Sequence, residues 1–277
     1  IKYIIKFFGQ HLYIKLSVHL YLANQNLMDF SLDLILLVIV GFIAGCINIV
    51  AGGGSLLTLP ALIFFGLPPN IANGTNRIAI IIQNIFAVSG FKSKGVSAFP
   101  YSIYIALSAT VGAIIGAQFA VDIKGDLFNK ILAVIMVLIV IYMVFKPKLS
   151  TQDLVERLTG KYFWLGILIF FFVGIYGGFI QAGVGFIMLL ALSSINRFSL
   201  VKSNAIKVTV VLIYTVAAVL VFAYNDSISW KIGLLLALGN SIGGWFASRW
   251  SVKKGDGMVK KFLVVMVTIL AIKLWFF

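Results

Sequence analysis

Apolar runs of membrane-spanning length recur along this chain from about residue 33 to its end, and that recurrence decides most of what it can fold into. Hydrocarbon offers backbone amides and carbonyls no partner, so a chain that enters it closes its hydrogen bonds inside helices or inside a closed barrel. The runs are continuous, and the short alternating segments with polar lumen positions that mark a barrel strand are missing, which leaves helices. Hydrophobic residues make up 61% of the chain, whereas soluble domains carry about half. The expected fold is an all-α polytopic integral membrane protein.

One pattern inside these runs occurs twice, about 130 residues apart. The first copy reads Gly41-Phe-Ile-Ala-Gly45-Cys-Ile-Asn48-Ile-Val-Ala51-Gly-Gly-Gly54, then a short apolar stretch, then a helix carrying Arg77. The second reads Gly174-Ile-Tyr-Gly-Gly178-Phe-Ile-Gln181-Ala182-Gly-Val-Gly185, then a short apolar stretch, then a helix carrying Lys207. In each copy a Gly-x3-Gly helix is broken by glycines, and a cation follows 22 or 23 residues beyond the break. Glycine-interrupted apolar segments at matching places in two halves point to the substrate site of a transporter.

The apolar segments of the first half run roughly 33–50, 55–66, 71–90, 99–121 and 127–145, and those of the second roughly 163–181, 184–195, 203–224, 228–248 and 259–277. The second segment of each half, about 12 residues, is too short to cross alone at about 1.5 Å per residue and fits a half-helix or re-entrant piece. The expected organisation is a first repeat over 28–146, a cytoplasmic linker over 147–162 and a second repeat over 163–277. Residues 1–27 read differently. Lys2, Lys6, His11, Lys15 and His19 interrupt apolar residues with no helical stripe. This head is expected to precede a natural start at Met28, or else to be an interfacial helix.

Loop charges predict how the segments are threaded. Lys92 and Lys94 follow the third segment of the first half, whereas Asp226 follows its counterpart. Asp122 and Asp126, with Lys124 between, follow the fourth segment, and Arg249, Lys253 and Lys254 follow its counterpart. The bias changes sides between the halves, so the positive-inside rule predicts repeats of opposite orientation, with the linker carrying Lys146, Lys148, Arg157 and Lys161 inside. Five plus five inverted segments is the preferred architecture; eight full spans plus two re-entrant pieces is the alternative.

Ala51-Gly52-Gly53-Gly54-Ser55 joins the first two segments. Glycines let a ligand approach the main chain, and a helix beginning at Ser55 would aim unpaired amides and a positive dipole end inward, a ready anion site. Ala182-Gly183-Val184-Gly185 would supply the same from the opposite side. No Gly-Lys-Ser/Thr follows either run, so neither is a nucleotide-binding loop. Such glycines also serve close helix crossing, the role expected of Gly112/Gly116 and Gly239/Gly243, which lack polar neighbours.

The third segment carries Asn73, Asn76, Arg77, Gln83 and Asn84 at helical spacing, a polar stripe on a helix of Ile and Ala that should face a cavity rather than lipid. Ser203, Asn204, Lys207 and Tyr214 form the equivalent face in the second half. Asn48, Gly52, Gly53, Gly54, Ser55, Asn73, Asn76, Arg77, Gln83, Asn84, Gln181, Gly183, Gly185, Asn204, Lys207 and Tyr214 are the expected substrate-contacting residues. The competing role for the two cations is snorkelling to headgroups.

Other chemistries lack their parts. All eight carboxylates lie in the head, loops or linker and both histidines in the head, so no acid or imidazole remains at depth to relay protons. Neither catalytic residues, a metal site nor a cofactor is expected, and the protein is not expected to be an enzyme. The net charge of +14 sits mostly in short loops, where it sets topology, and no basic face exists for nucleic acid. The single Cys46 excludes an internal disulfide and reads as a small packing residue.

Gly-x3-Gly followed by Ala51-Gly-Gly-Gly-Ser-Leu-Leu-Thr-Leu-Pro60, then Gly66-Leu-Pro-Pro69 and Ala72-Asn-Gly-Thr-Asn-Arg77, resembles the TauE/SafE sulfite exporter family. Gly177-Gly-Phe-Ile-Gln181-Ala-Gly-Val-Gly185 resembles that family's second-half motif, with Gly-Val-Gly where the first copy has Gly-Gly-Gly. The resemblance covers essentially Asp29–Phe277. It implies a transporter, and its members are linked to sulfite, sulfonates and other small organosulfur anions. The expected function is therefore transport, by export, of such an anion across the inner membrane by a multi-pass protein, with the anion and membrane lipid as partners. Import or channel conduction of another small anion, or a non-transporting scaffold, are the alternatives.

Overall fold

The computed structural model describes residues 32–123, 125–128, 130, 131, 134 and 155–276, with side chains from Leu34 onward and, beyond Gly255, at Met258 and Lys261 alone. The expectations for residues 1–27, for most of the 127–145 segment and for the linker before residue 155 lie outside the described residues. Every regular element among the described residues is a helix. In chain order they are α1 (Leu32–Val50), α2 (Ser55–Phe64), α3 (Pro69–Lys92), α4 (Tyr101–Asp122), α5 (Lys161–Phe179), α6 (Val184–Ser194), α7 (Leu200–Tyr224) and α8 (Trp230–Phe276). Among the described residues α4, α5 and α7 are long and apolar enough to cross a membrane. The short segments form helices of 10 and 11 residues, α2 and α6.

Local chemistry sets the boundaries. α3 starts at Pro69, where proline's missing amide removes no helical bond and its fixed φ suits the first turn. α7 starts three residues before the apolar run because Ser199 caps it, accepting a hydrogen bond from the Lys202 amide at 3.2 Å. α8 breaks at Gly255, whose φ of 71° and ψ of −179° are non-helical.

The bundle is assembled across the two halves of the sequence: α4 packs on α5 and α7, α8 packs on α1 and α3, and α3 meets α7 at the centre. Two of these seams are backbone against backbone. A Cβ on Gly112 or Gly116 would run into the carbonyls of Phe171 and Ile175, while Gly174 and Gly178 press back on Ala109 and Ala113. In the same way Gly239 and Gly243 meet the carbonyls of Val38 and Phe42, and Gly41 and Gly45 meet Leu236 and Asn240. Small residues permit this approach, and dispersion between closely spaced helices replaces the hydrophobic driving force that lipid cannot supply. The packing role expected of Gly112/Gly116 and Gly239/Gly243 is what the structure shows.

The outer surface is unlike that of a water-soluble protein. Leu107, Phe119, Trp164, Phe172, Leu220 and Leu238 are exposed on the outside, while Asn73, Asn76, Arg77, Gln83, Asn204 and Lys207 are buried. An apolar exterior, with the buried polar and charged side chains gathered inside an otherwise apolar core, is the arrangement that hydrocarbon demands.

Candidate functional site

Two helix breaks meet inside the bundle. α1 ends at Val50, and the amides of Ala51 and Gly52 still bond back to Ile47 O (2.8 Å) and Asn48 O (2.9 Å) before Gly52 turns the chain at φ 85°. α5 ends at Phe179, and the chain turns at Gln181 (φ 66°) and Gly183 (φ 70°). The turns touch each other: a Cβ on Gly52 would sit 2.6 Å from Gly185 Cα, and one on Gly185 would sit 2.7 Å from Gly52 O. Gly53 faces the Phe186 ring, and Gly54 faces the Ala44 carbonyl and the Asn48 side chain. On their Cβ side, then, these glycines meet protein, not an open pocket. No side chain caps the N-terminus of α2 or of α6.

A helix broken in a low-dielectric interior leaves its last carbonyls short of partners, and the two cations answer that need, with Asn48 O shared between Lys207 and the Gly52 amide. Arg77 is fully buried. Its Nη1 donates to Gly177 O at 3.0 Å and Gln181 Oε1 at 3.4 Å, and its Nη2 donates to Gly178 O at 2.6 Å and Asn73 Oδ1 at 3.3 Å. Asn73 Nδ2 takes the last carbonyl of α5, Phe179 O, at 2.7 Å. Lys207, 2% exposed, donates to Asn48 O and Ile49 O, both at 2.8 Å, and to Asn204 Oδ1 at 2.6 Å. Asn204 Nδ2 takes the last carbonyl of α1, Val50 O, at 3.3 Å. Each end is thus held alike, by a cation on the two carbonyls before the last and an asparagine on the last. Each cation also sits where a helix dipole carries its negative end. Both are too deeply buried to snorkel.

The remaining polar residues tie neighbouring elements together. Asn48 Nδ2 donates to Gln83 Oε1 at 3.1 Å, and Gln83 Nε2 donates to Gly45 O at 3.2 Å, joining α1 to α3. Tyr214 donates to Gln181 Oε1 at 3.0 Å, so Gln181, a non-glycine residue in the left-handed region, is gripped through its side chain from α3 and α7. Asn84 Nδ2 returns to Ile80 O of its own helix at 2.8 Å. Asn76 Nδ2 donates to Ser55 Oγ at 3.3 Å, while Thr58 Oγ1 donates to Asn76 Oδ1 at 2.6 Å. The stripe on α3 is therefore buried and divided among α1, α2 and α5.

Two participants escape the sequence reading, Thr58 and Tyr176, whose hydroxyl donates to Ala182 O in the second turn. Thr58 lies one helical turn after Ser55 on α2, and that i, i+3 spacing is the signal that finds it. Tyr176 stands amid aromatic and apolar residues with nothing to distinguish it.

Among the described residues acids stay away from this centre. Asp122, Asp126 and Asp226 are exposed, and Glu156 pairs with Lys202 at 2.6 Å on the surface. Among the described residues no group of His, Cys, Asp and Glu could hold a metal ion. A groove of about 780 Å³ is lined by Phe119, Asp122, Phe172, Ile175 and Phe179 of α4 and α5.

A bundle of apolar helices with broken segments and a buried, cation-bearing polar centre has the construction of a membrane transporter. The family model described as "Sulfite exporter TauE/SafE" matches residues 37–274, and the chain belongs to that family of membrane transporters. It is 31% identical over 238 residues to "Probable membrane transporter protein ORF9" of Sinorhizobium sp, covering 86% of this chain and 90% of that one. It is 31% identical over 248 residues to "Probable membrane transporter protein" of Haemophilus influenzae, covering 89% and 96%. Against "Probable membrane transporter protein YfcA" of Escherichia coli K12 the identity is 29% over 252 residues, covering 91% and 93%. No solved structure matches the chain.

Proposed function

We propose that the protein exports a small anion, sulfite or a sulfonate, across the inner membrane through the centre where the two helix breaks meet. The observation that carries this is the electrostatic asymmetry of that centre. The C-terminal ends of α1 and α5, negative by about half a charge each, are each faced by a full positive charge, while the positive N-terminal ends of α2 and α6 have no side-chain cap and, among the described residues, no acid nearby. The four helix ends and two cations together leave an excess of about two positive charges in a dry interior. Arg77 and Lys207 favour an anion by cancelling the carbonyl ends that would repel it, and the amides at the starts of α2 and α6, with Ser55, are the contacts we assign to the anion itself.

Two inverted repeats, threaded as the loop charges predict, supply the second half of the mechanism. Opening would part Gly52 from Gly185 on one side or the other of the membrane. An inside-negative potential drives an anion outward by about 2.3 kcal/mol per charge per 100 mV, so export needs no proton relay. The substrate class rests on the family's description. Purified protein in proteoliposomes should release trapped sulfite or a sulfonate faster when the lumen is made negative, and Gly52→Ala should abolish that release. Flux indifferent to the potential, or carried equally by cations, would overturn the reading.

A further inference from the structure

Lys207 is surrounded in a way that Arg77 is not. Three oxygens stand around its Nζ at 2.6–2.8 Å, from Asn48 and Ile49 of the α1 end and from the Asn204 side chain. None has a proton to give: two are carbonyls, and Asn204 is oriented by its own donation to Val50 O. A neutral amine has two protons and would turn its lone pair on the third oxygen, so the group is an ammonium with all three N–H bonds in use. Among the described residues no carboxylate pairs with it. A full charge is therefore held in the interior by carbonyl and amide dipoles alone.

Carbonyls at a broken helix end, joined by an amide oxygen, are also the donor set by which transporters hold a dehydrated monovalent cation. We propose that Lys207 is a tethered cation: its ammonium permanently fills an oxygen cage that a free potassium, ammonium or sodium ion would otherwise occupy, so this half of the protein needs no dissolved cation. Arg77 differs in kind. Its charge is spread over a planar fork whose contacts are divided between Nη1 and Nη2, so removing it leaves a slot and not a compact cage. The inference concerns how the protein is held together and stands whichever solute crosses.

The test is Lys207→Ala, which removes the charge and opens the cage, with thermal stability of the purified protein followed in choline chloride and in ammonium or potassium chloride at equal ionic strength. The parent should be indifferent to the cation. Lys207→Ala should melt lower in choline and recover by several degrees, saturably, as ammonium or potassium replaces it, because a ligand bound only by the folded state stabilises it. Lys207→Gln, which fills the cage with a neutral amide, and Arg77→Ala should gain nothing from either ion. Equal melting of Lys207→Ala in all three salts would overturn the proposal. So would failure of that variant to give monodisperse protein in ammonium and potassium as well as choline, since an ion-accepting cage must be restored by an ion.

Discussion

Arg77 and Lys207 do the same work with different shapes, and substitution should separate charge from geometry. Arg77→Gln leaves the carbonyls of Gly177 and Gly178 competing for one neutral amide. Each charged hydrogen bond is worth about 1.5–3 kcal/mol, so this variant should be destabilised by about 3 kcal/mol or more, read as a lower melting temperature. Arg77→Lys should recover only part, because one ammonium cannot reach both Nη positions. A melting temperature for Arg77→Gln equal to the parent's would mean that water satisfies those carbonyls. Glycines at the same scale divide into two kinds. Gly66 has φ 89° with nothing within 4 Å of its Cβ position, so Gly66→Ala should cost only the left-handed strain, about 1–2 kcal/mol, and keep flux. Gly52→Ala adds a collision with the Gly185 backbone and should lose flux. Equal flux from the two variants would show that the contact between the turns is dispensable. The equivalence of the two cations is legible in the sequence, because spacing from the glycine break gives it. Their partners are not, since a linear pattern tells which residues share a face but not whose carbonyls that face meets 100 or 159 residues away. The break itself is the missed clue: every interrupted helix leaves carbonyls that something must take.

Among the elements, the short segments were the most legible. Residues 55–66 and 184–195 become α2 (Ser55–Phe64) and α6 (Val184–Ser194), because glycines start them, with α2 stopping just before the chain turns at Gly66 (φ 89°). The start of α7 was less so, since Ser199 caps it upstream of the run. The seams also follow from sequence, as glycines spaced four apart have few other uses in an apolar helix. Gly116→Leu would drive α4 away from Ile175 and Phe179 and should destabilise the bundle, whereas Leu107→Ala on the exposed face of the same helix should not. Orientation is a property of elements too. On a Cys46→Ser background, single cysteines at Asp122 and Asp226 should label from outside, and those at Asp153 and Lys253 from the cytoplasm. Labelling of Asp122 and Lys253 from one side would sink the inverted arrangement.

For the whole molecule the telling fact is that each half completes the other. The end of α1 is closed by α7, and the end of α5 by α3. Residues 28–154 expressed alone should therefore be degraded, and co-expression with residues 155–277 should protect both and yield a complex that purifies through a tag on either piece. Stable accumulation of the first piece by itself would show that its helix end finds another partner.

The same reciprocity imposes a schedule on synthesis. When α1 enters the membrane, the residues that will take its final carbonyls have not been made: Asn204 follows Val50 by 154 positions. At about 5–20 residues per second, α1 waits roughly 8–30 s with the carbonyls of Ile49 and Val50 unclaimed. During that interval it must shelter in the insertion machinery, hold water at its tip, or remain short of its final depth, and the arrival of Lys207 is the event that releases it.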